Sequence, residues 1–273
     1  MNRAFVALIS LILLCAGCSR NKQTATAKRL PVIASNKAKD TLAYTYEGAD
    51  GQINYTLNDG NQDHDVVDHI TVDYPVFKSR TGLNDTIKQL VLGTLKDYGG
   101  DDKDTTRSLT ERVKRIIKRN TSQPDTTDTE ETQETYYELH IRVISQSSGI
   151  LVLETAEVAS GGAHPNSHTT YLTWDTKKDE EIVLDDVLVK DYSDKLATIA
   201  DKIIREEKLN EDLSEGDTFA LNSNYYFAPE GIHFYYNSYE IKAYVFGPTD
   251  LLIPYSKIKK LIRPGSVLSQ YIK

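Results

Sequence analysis

Residues 222–255 place the strongest constraint on the fold, because runs of aromatic and β-branched residues alternate there with clear turn signals. Segments 228–231 and 247–250 each combine glycine with proline: proline fixes φ, and glycine is free to take positive φ in a tight turn. The runs around them are rich in Tyr, Phe, Val and Ile, which suit a pleated, half-buried surface. The stretch therefore predicts a compact antiparallel meander of strands.

Seven of the 17 tyrosines lie in this stretch. Tyrosine is favoured at recognition surfaces because it adds contact area at low entropic cost and carries a hydroxyl for polar partners. Strand alternation also turns about half of such side chains into the core. We predict a ligand-binding surface that includes Tyr235, Tyr236 and Tyr239, and that also involves two histidines of an earlier loop, His164 and His168.

Residues 1–17 predict a lipoprotein signal peptide. Arg3 supplies the positive start, and an apolar run too short to span a bilayer follows. Residues 14–18 resemble the lipobox of bacterial lipoproteins, in which the cysteine that matches Cys18 is acylated after cleavage behind Gly17. An ordinary secretory peptide is the alternative. Several acyl chains hold a protein on a membrane without a spanning helix, at about 0.8 kcal/mol per buried methylene.

Residues 18–40 predict a lipidated cysteine followed by a flexible tether. Between residues 19 and 39 the chain carries six basic residues, no acidic residue and many small polar residues. Export signals that direct some lipoproteins to the cell surface are acidic just after the cysteine, which favours a protein that faces the periplasm. The lipid consumes the one cysteine of the mature chain, so we expect stability to come from the core.

The formal net charge of −8 limits the class of partner. An acidic surface repels nucleic acid phosphates and attracts a cationic protein, so we expect no nucleic acid partner. The alternative is that the charge only keeps the protein in solution.

The remaining pattern predicts an α+β fold with antiparallel sheets, helices packed on one face and two closely associated subdomains. Alternating strands over 41–77 precede helices over 83–95 and 110–119, and a hairpin covers 137–158. The second half predicts a strand at 169–174 and a helix after residue 193. We place the two subdomains at residues 41–160 and 161–273.

The Gly-Gly-Ala-His segment at 161–164 raises the question of a metal site. His164 and His168 are four residues apart, which suits one face of a helix, but Pro165 and the glycines argue against a helix. In an extended chain the two rings lie about 13 Å apart. We therefore expect no metal and no other cofactor, and interpret the segment as a kinked corner between strands or the lining of a surface cleft.

Three segments resemble the RsiV-like domain of unknown function. They are the Gly-Gly-Ala-His segment, residues 171–188 with their Leu-Asp-Asp-Val-Leu motif, and residues 229–255, which begin Pro-Glu-Gly-Ile-His-Phe-Tyr-Tyr-Asn. That domain ends the extracellular region of the anti-sigma factor RsiV, which senses lysozyme. Residues 41–158 resemble, mostly by pattern, the companion domain shared with the peptidoglycan deacetylase PdaC. We expect no spanning helix and no cytosolic sigma-binding segment in this chain, so the resemblance does not bring the signalling mechanism with it.

The resemblance implies a non-catalytic α+β ectodomain that binds lysozyme or cell-wall glycan. Together with the predicted lipid anchor, it favours a membrane-attached binding protein of the cell envelope. Two alternatives stay open. One is an envelope hydrolase that acts on cell-wall glycan through the loop of His164 and His168, with nearby acids such as Asp185, although no known catalytic motif accompanies them. The other is a structural envelope lipoprotein.

Overall fold

The structure is a computed structural model that describes residues 41–58, 63–98, 107–119, 133–160, 165–207 and 220–272. The chain divides into residues 1–32 and residues 33–273, and every described residue belongs to the second unit. The predictions of a signal peptide over 1–17, of lipidation at Cys18 and of the tether therefore lie outside the described residues, as does His164. None of the described helices is long and apolar enough to cross a membrane.

A six-stranded sheet forms the larger part of the described fold. Its strands are β1 (Tyr44–Asn58), β2 (Asp63–Phe77), β3 (Gln133–Ser147), β4 (Ile150–Ala159), β5 (Asn166–Asp175) and β6 (Glu180–Glu181). They lie side by side in chain order. Every neighbouring pair is antiparallel except β2 with β3. The strands predicted from alternation in the first half are confirmed.

The parallel pairing of β2 with β3 follows from the chain that joins them. A parallel neighbour needs a crossover connection of about a dozen residues or more, and helices α1 (Thr81–Thr94) and α2 (Leu109–Arg119) lie in this connection. Both helices pack on one face of the sheet, where Leu83 and Ile116 join Leu139 of β3 in one buried cluster. The predicted α+β class is confirmed, and this one pair departs from a wholly antiparallel sheet.

The meander predicted for residues 222–255 is a separate three-stranded antiparallel sheet. Its strands are β7 (Tyr225–Phe227), β8 (Gly231–Tyr236) and β9 (Thr249–Pro254). The helices of this part are α3 (Leu184–Val187), α4 (Ser193–Glu206) and α5 (Tyr255–Ile258). Ile232 and Phe234 of β8 are buried in one core with Leu196 and Ile203 of α4.

Strand β4 contributes to both hydrophobic cores. Leu151 and Leu153 belong to the core with α1 and α2, whereas Ile150 and Val152 belong to the core with α4 and the small sheet. Side chains alternate across a strand, so one strand supplies both layers. Strands β5 and β6 follow residue 160 in the chain and complete the large sheet. The division at residues 160 and 161 stays a prediction.

Two asparagines cover the edge of β5 where it meets the small sheet. Asn224 accepts a hydrogen bond from Tyr171 N at 3.0 Å and donates one to Thr169 O at 2.8 Å. Asn237 accepts from Thr169 N at 2.7 Å and donates to the same carbonyl at 3.0 Å. A primary amide offers both an acceptor and a donor, so these side chains occupy the place of a neighbouring strand's backbone.

Two glycines of the meander are required for different reasons. The predicted turn at 228–231 is confirmed by hydrogen bonds in both directions between the backbones of Ala228 and Gly231. Gly231 is required because β9 lies so close that no side chain fits: a Cβ there would lie 2.3 Å from Ile253 O. Gly247 does take positive φ, at 67°, as its turn position requires.

Candidate functional site

The connection between β8 and β9, residues 237–248, displays a group of exposed hydrophobic side chains, and we call it the aromatic loop. Tyr239 is 63% exposed, Val245 81% and Phe246 49%. The ring of Tyr244 lies beside that of Tyr239, with 5.5 Å between the ring centroids. Isolated exposed apolar residues are ordinary, but a group of them rimmed by polar residues is typical of an interaction site.

The backbone of the aromatic loop is strained at Tyr239. Its φ of 71° lies in the left-handed region, where Cβ crowding costs an L-residue about 1–2 kcal/mol. The Tyr239 N–H donates to Lys242 O at 3.1 Å and closes a tight turn. A 3-10 turn, Tyr244–Phe246, follows and ends at Gly247. Strain that the surrounding structure maintains is typical of functional segments.

Polar side chains beneath the loop hold its first turn in place. The Glu240 carboxylate accepts hydrogen bonds from Asn222 Nδ2 at 3.1 Å and from Asn237 Nδ2 at 3.2 Å. Asn222 Nδ2 also donates to Tyr235 O in β8 at 2.6 Å. These bonds tie the loop to β8 and to the segment before β7. A loop already held in its binding conformation loses less entropy when a partner binds.

The aromatic loop reaches the segment just before β5. The Tyr244 hydroxyl donates to Pro165 O at 3.3 Å, and Pro165 follows His164 directly in the sequence. His168 lies on β5 with an exposed side chain, opposite Glu157 of β4. The described part of the predicted histidine loop is therefore an extended strand.

Tyr235 and Tyr236 lie on opposite faces of the small sheet, as alternation requires. Tyr236 is 1% exposed and belongs to the core of the small sheet, and its hydroxyl donates to Ala220 O at 3.0 Å. Tyr235 is partly buried on the outer face, with its ring centroid 5.3 Å from that of Tyr171. Of the three tyrosines in the predicted surface, Tyr239 lies on the aromatic loop, Tyr235 on the outer sheet face and Tyr236 in the interior.

A titratable group on the outer face of the small sheet, which we call the His233 cluster, consists of Tyr226, Glu230, His233 and Asp250. His233 Nδ1 lies 2.9 Å from Asp250 Oδ1, and Nε2 lies 3.3 Å from Glu230 Oε1. The Tyr226 ring stacks on the imidazole with a centroid distance of 4.5 Å, and its hydroxyl donates to Asp250 Oδ2 at 2.9 Å. The cluster thus joins β7, β8, β9 and the turn between β7 and β8.

The protonation states in the cluster follow from burial and charge. Burial is the largest single influence on His233 and lowers its pKa, but the hydrogen bonds and charges of Asp250 and Glu230 together raise the pKa above its ordinary value of 6.5. Burial, followed by the Asp250 charge, raises the pKa of Tyr226 far above its usual range. The Tyr226 phenol therefore stays protonated and continues to donate to Asp250.

The His233 cluster continues onto the large sheet through Tyr171 of β5. The ring centroid of Tyr171 lies 4.5 Å from that of Tyr226, and its hydroxyl donates to Glu154 Oε2 of β4 at 3.0 Å. Burial and then the Glu154 charge raise the pKa of Tyr171 well above its usual range. Among the residues that the structure describes, no group of three or more His, Cys, Asp or Glu is placed to hold a metal ion.

Taken together, these features define an α+β protein with a preorganised aromatic loop at one end of a small sheet. Residues 183–256 match the model of the family described as "Protein of unknown function (DUF3298)". This domain contains the small sheet and the aromatic loop. The expectation of a domain of unknown function in the second half is confirmed, and its further resemblance to RsiV and PdaC stays a prediction.

Two crystal structures of DUF3298 family members share the fold. A protein from Bacteroides fragilis NCTC 9343 is 20% identical with a TM-score of 0.60, and the match covers 85% of this chain and 99% of that chain. A protein from Pseudomonas aeruginosa PAO1 is 16% identical with a TM-score of 0.57, and the match covers 82% of this chain and 96% of that chain. The comparison with curated proteins finds no match.

The site prediction from sequence missed Val245, Phe246 and His233. Val245 and Phe246 directly precede a Gly-Pro turn signal, and apolar residues at the tip of a connection are candidates for exposure. His233 has Glu230 three residues before it, but Asp250 reaches it only because β8 and β9 pair. The exposure of Val245 and Phe246 could have been predicted from the turn signal, whereas the contact of His233 with Asp250 depends on the register of the sheet.

Proposed function

We propose that the protein is a lipid-anchored, non-catalytic binding protein of the cell envelope that recognises lysozyme or peptidoglycan. The observation that carries this proposal is the aromatic loop, where Tyr239, Val245 and Phe246 are exposed on a backbone held by internal hydrogen bonds. Exposed aromatic rings on a preorganised segment supply binding energy at low entropic cost. The lipid anchor is supported by the lipobox resemblance of residues 14–18.

The aromatic loop lies far from the point at which the described chain begins. The described chain begins near the hairpin of β3 and β4, where Leu42 N donates to Gln146 Oε1 at 2.7 Å. The loop contacts Pro165 at the opposite end of β5. About nine strand residues separate these ends, or about 30 Å at 3.3 Å per residue.

Charge and ring chemistry support the two partner classes differently. The net charge of −8 favours association with a cationic protein such as lysozyme, and this contribution weakens as salt is added. The rings of Tyr239 and Tyr244 provide apolar faces with hydroxyls, which suit sugar rings as well as protein side chains. The proposal therefore predicts salt-sensitive binding if the partner is lysozyme and salt-tolerant binding if it is glycan.

Calorimetry with protein that lacks residues 1–39 tests the proposal, since both hydrophobic cores lie within residues 41–272. Titration with lysozyme, and separately with soluble peptidoglycan fragments, is expected to give binding heat with at least one of them at low salt. The Tyr239→Ala/Phe246→Ala double variant is expected to bind about ten-fold more weakly or worse, because truncation of a hot-spot aromatic costs about 2 kcal/mol.

Tyr46→Ala is the matched control. Tyr46 is a tyrosine on β1 that is 47% exposed and lies outside the aromatic loop. This variant is expected to bind like the unmodified protein. Absence of heat with both ligands, from protein whose circular dichroism shows it to be folded, contradicts the proposal.

A further inference from the structure

We propose that His233 is a pH-operated clasp at the base of the aromatic loop, and that partner binding weakens when His233 loses its proton. The coupling to binding rests on the proposed function of the aromatic loop. The clasp itself rests on the geometry of the His233 cluster.

The cluster joins the two strands from which the loop emerges. His233 lies on β8, Asp250 lies on β9, and residues 237–248 connect these strands. Asp250 pairs with Tyr235 in the strand register, and Tyr235 O also accepts the hydrogen bond from Asn222 that supports the loop. The imidazole therefore bridges the strands within three residues of the loop on the β9 side. An interaction that fixes this base also fixes the exposed rings.

Only the protonated imidazole completes both of its contacts. The two ring nitrogens face two carboxylates, Asp250 at 2.9 Å and Glu230 at 3.3 Å. Carboxylates accept hydrogen bonds, and a neutral imidazole has one N–H to donate, whereas the imidazolium has two. Loss of the proton leaves one carboxylate facing a ring nitrogen lone pair. It also removes the positive charge between two negative groups.

The groups that face His233 come from each element packed around it. Tyr226 of β7 stacks on the ring, Glu230 of the turn and Asp250 of β9 contact its nitrogens, and Tyr171 of β5 lies behind Tyr226. The carboxylate of Glu154 is bound by Tyr171. The charged neighbours are thus acidic, and the raised pKa of His233 agrees with this surrounding despite the opposing effect of burial.

The raised pKa of His233 determines how the stability of the cluster changes with pH. Because the folded-state pKa of His233 is above the ordinary value of 6.5, the clasp contributes its full stabilisation below that value. The stabilisation is lost as pH rises through the folded-state pKa. Partner affinity through the aromatic loop is expected to fall over the same interval.

The test combines a titration that needs no partner with a binding measurement. In the full chain held in detergent, NMR follows the imidazole of His233, assigned by its loss in His233→Gln, between about pH 5 and 8. Thermal unfolding and lysozyme and glycan binding are then measured across the same range for the unmodified chain, His233→Gln, Asp250→Asn and the control His69→Gln. His69 lies on β2, outside the cluster.

We expect His233 to titrate above 6.5, Asp250→Asn to lower that midpoint, and the stability advantage over His233→Gln to shrink as pH rises. His69→Gln should keep the pH dependence of the unmodified chain. A midpoint at or below 6.5, or an advantage that does not change with pH, overturns the clasp. If the clasp titrates as expected while neither ligand binds at any pH, the proposed function fails and the clasp stands. Binding that is independent of pH, with a titrating clasp, overturns the coupling.

Discussion

At the scale of single residues, Tyr239 shows most directly how the site departs from a relaxed fold. It combines 63% exposure with a φ of 71°, so a large aromatic side chain faces solvent from a backbone conformation that favours glycine. Hydrogen bonds around Lys242 and Glu240 maintain that conformation. Tyr239 therefore exposes its ring to solvent at a cost to the stability of the fold.

Comparison of Tyr239→Gly with Tyr239→Ala separates these two properties. Both variants remove the ring, and only glycine takes a φ of 71° without the Cβ penalty. We expect Tyr239→Gly to be more stable than Tyr239→Ala by about 1 kcal/mol in urea unfolding, and both to bind the partner more weakly. Equal stability of the two variants would show that the backbone there is not strained.

At the scale of elements, the junction between β5 and the small sheet depends on side-chain amides. Asn224 and Asn237 together supply the partners of Thr169 N, Thr169 O and Tyr171 N. A buried backbone group left without a partner costs about 1–3 kcal/mol. The two asparagines thus substitute for a strand that the fold lacks at this position.

We expect Asn224→Ala and Asn237→Ala each to lower the free energy of unfolding by about 1–3 kcal/mol. The double variant should lose more than the sum, because the carbonyl of Thr169 then loses both amide donors. Asn166→Ala, at the exposed start of β5, is the control and should change stability little. Additive losses, measured by chemical unfolding, would contradict the shared role of the two amides.

At the scale of the whole molecule, β4 couples two hydrophobic cores. Leu153 faces the core with Trp174, α1 and α2, and Val152 faces the core of α4 and the small sheet. Displacement of β4 from one core would also displace it from the other. Residues 41–272 are therefore expected to unfold as one cooperative unit, although the sequence predicts two subdomains.

Leu153→Ala tests this coupling. Its buried leucine lies in the first core, so truncation should cost about 2–5 kcal/mol. Trp174 fluorescence reports on that core, and amide hydrogen exchange at Phe234 and Tyr236 reports on the second core. We expect both signals to shift together in the variant. A shift of the tryptophan signal alone would establish independent domains, and Val183→Ala, on the surface, serves as the control.

Local pattern predicted much of the fold, because strands and helices carry their periodicity in the sequence. The alternation at residues 137–143 and the helical spacing at 83–95 correspond to β3 and α1. The meander was predicted through its turn residues, and alternation had already indicated that some of its tyrosines are buried. Pattern alone did not separate Tyr235 from Tyr236, since it does not say which face of a strand meets a helix.

The sequence by itself determined the α+β class, the meander and its tyrosine content, because these depend on neighbouring residues along one chain. The tertiary structure decided which groups meet: the parallel pairing of β2 with β3, the asparagines on the edge of β5 and the carboxylates on His233. Asp250 is 17 positions from His233 in the sequence, and Asn237 is 68 positions from Thr169. Such pairings depend on how the elements pack, and packing is a property of the whole chain rather than of any segment.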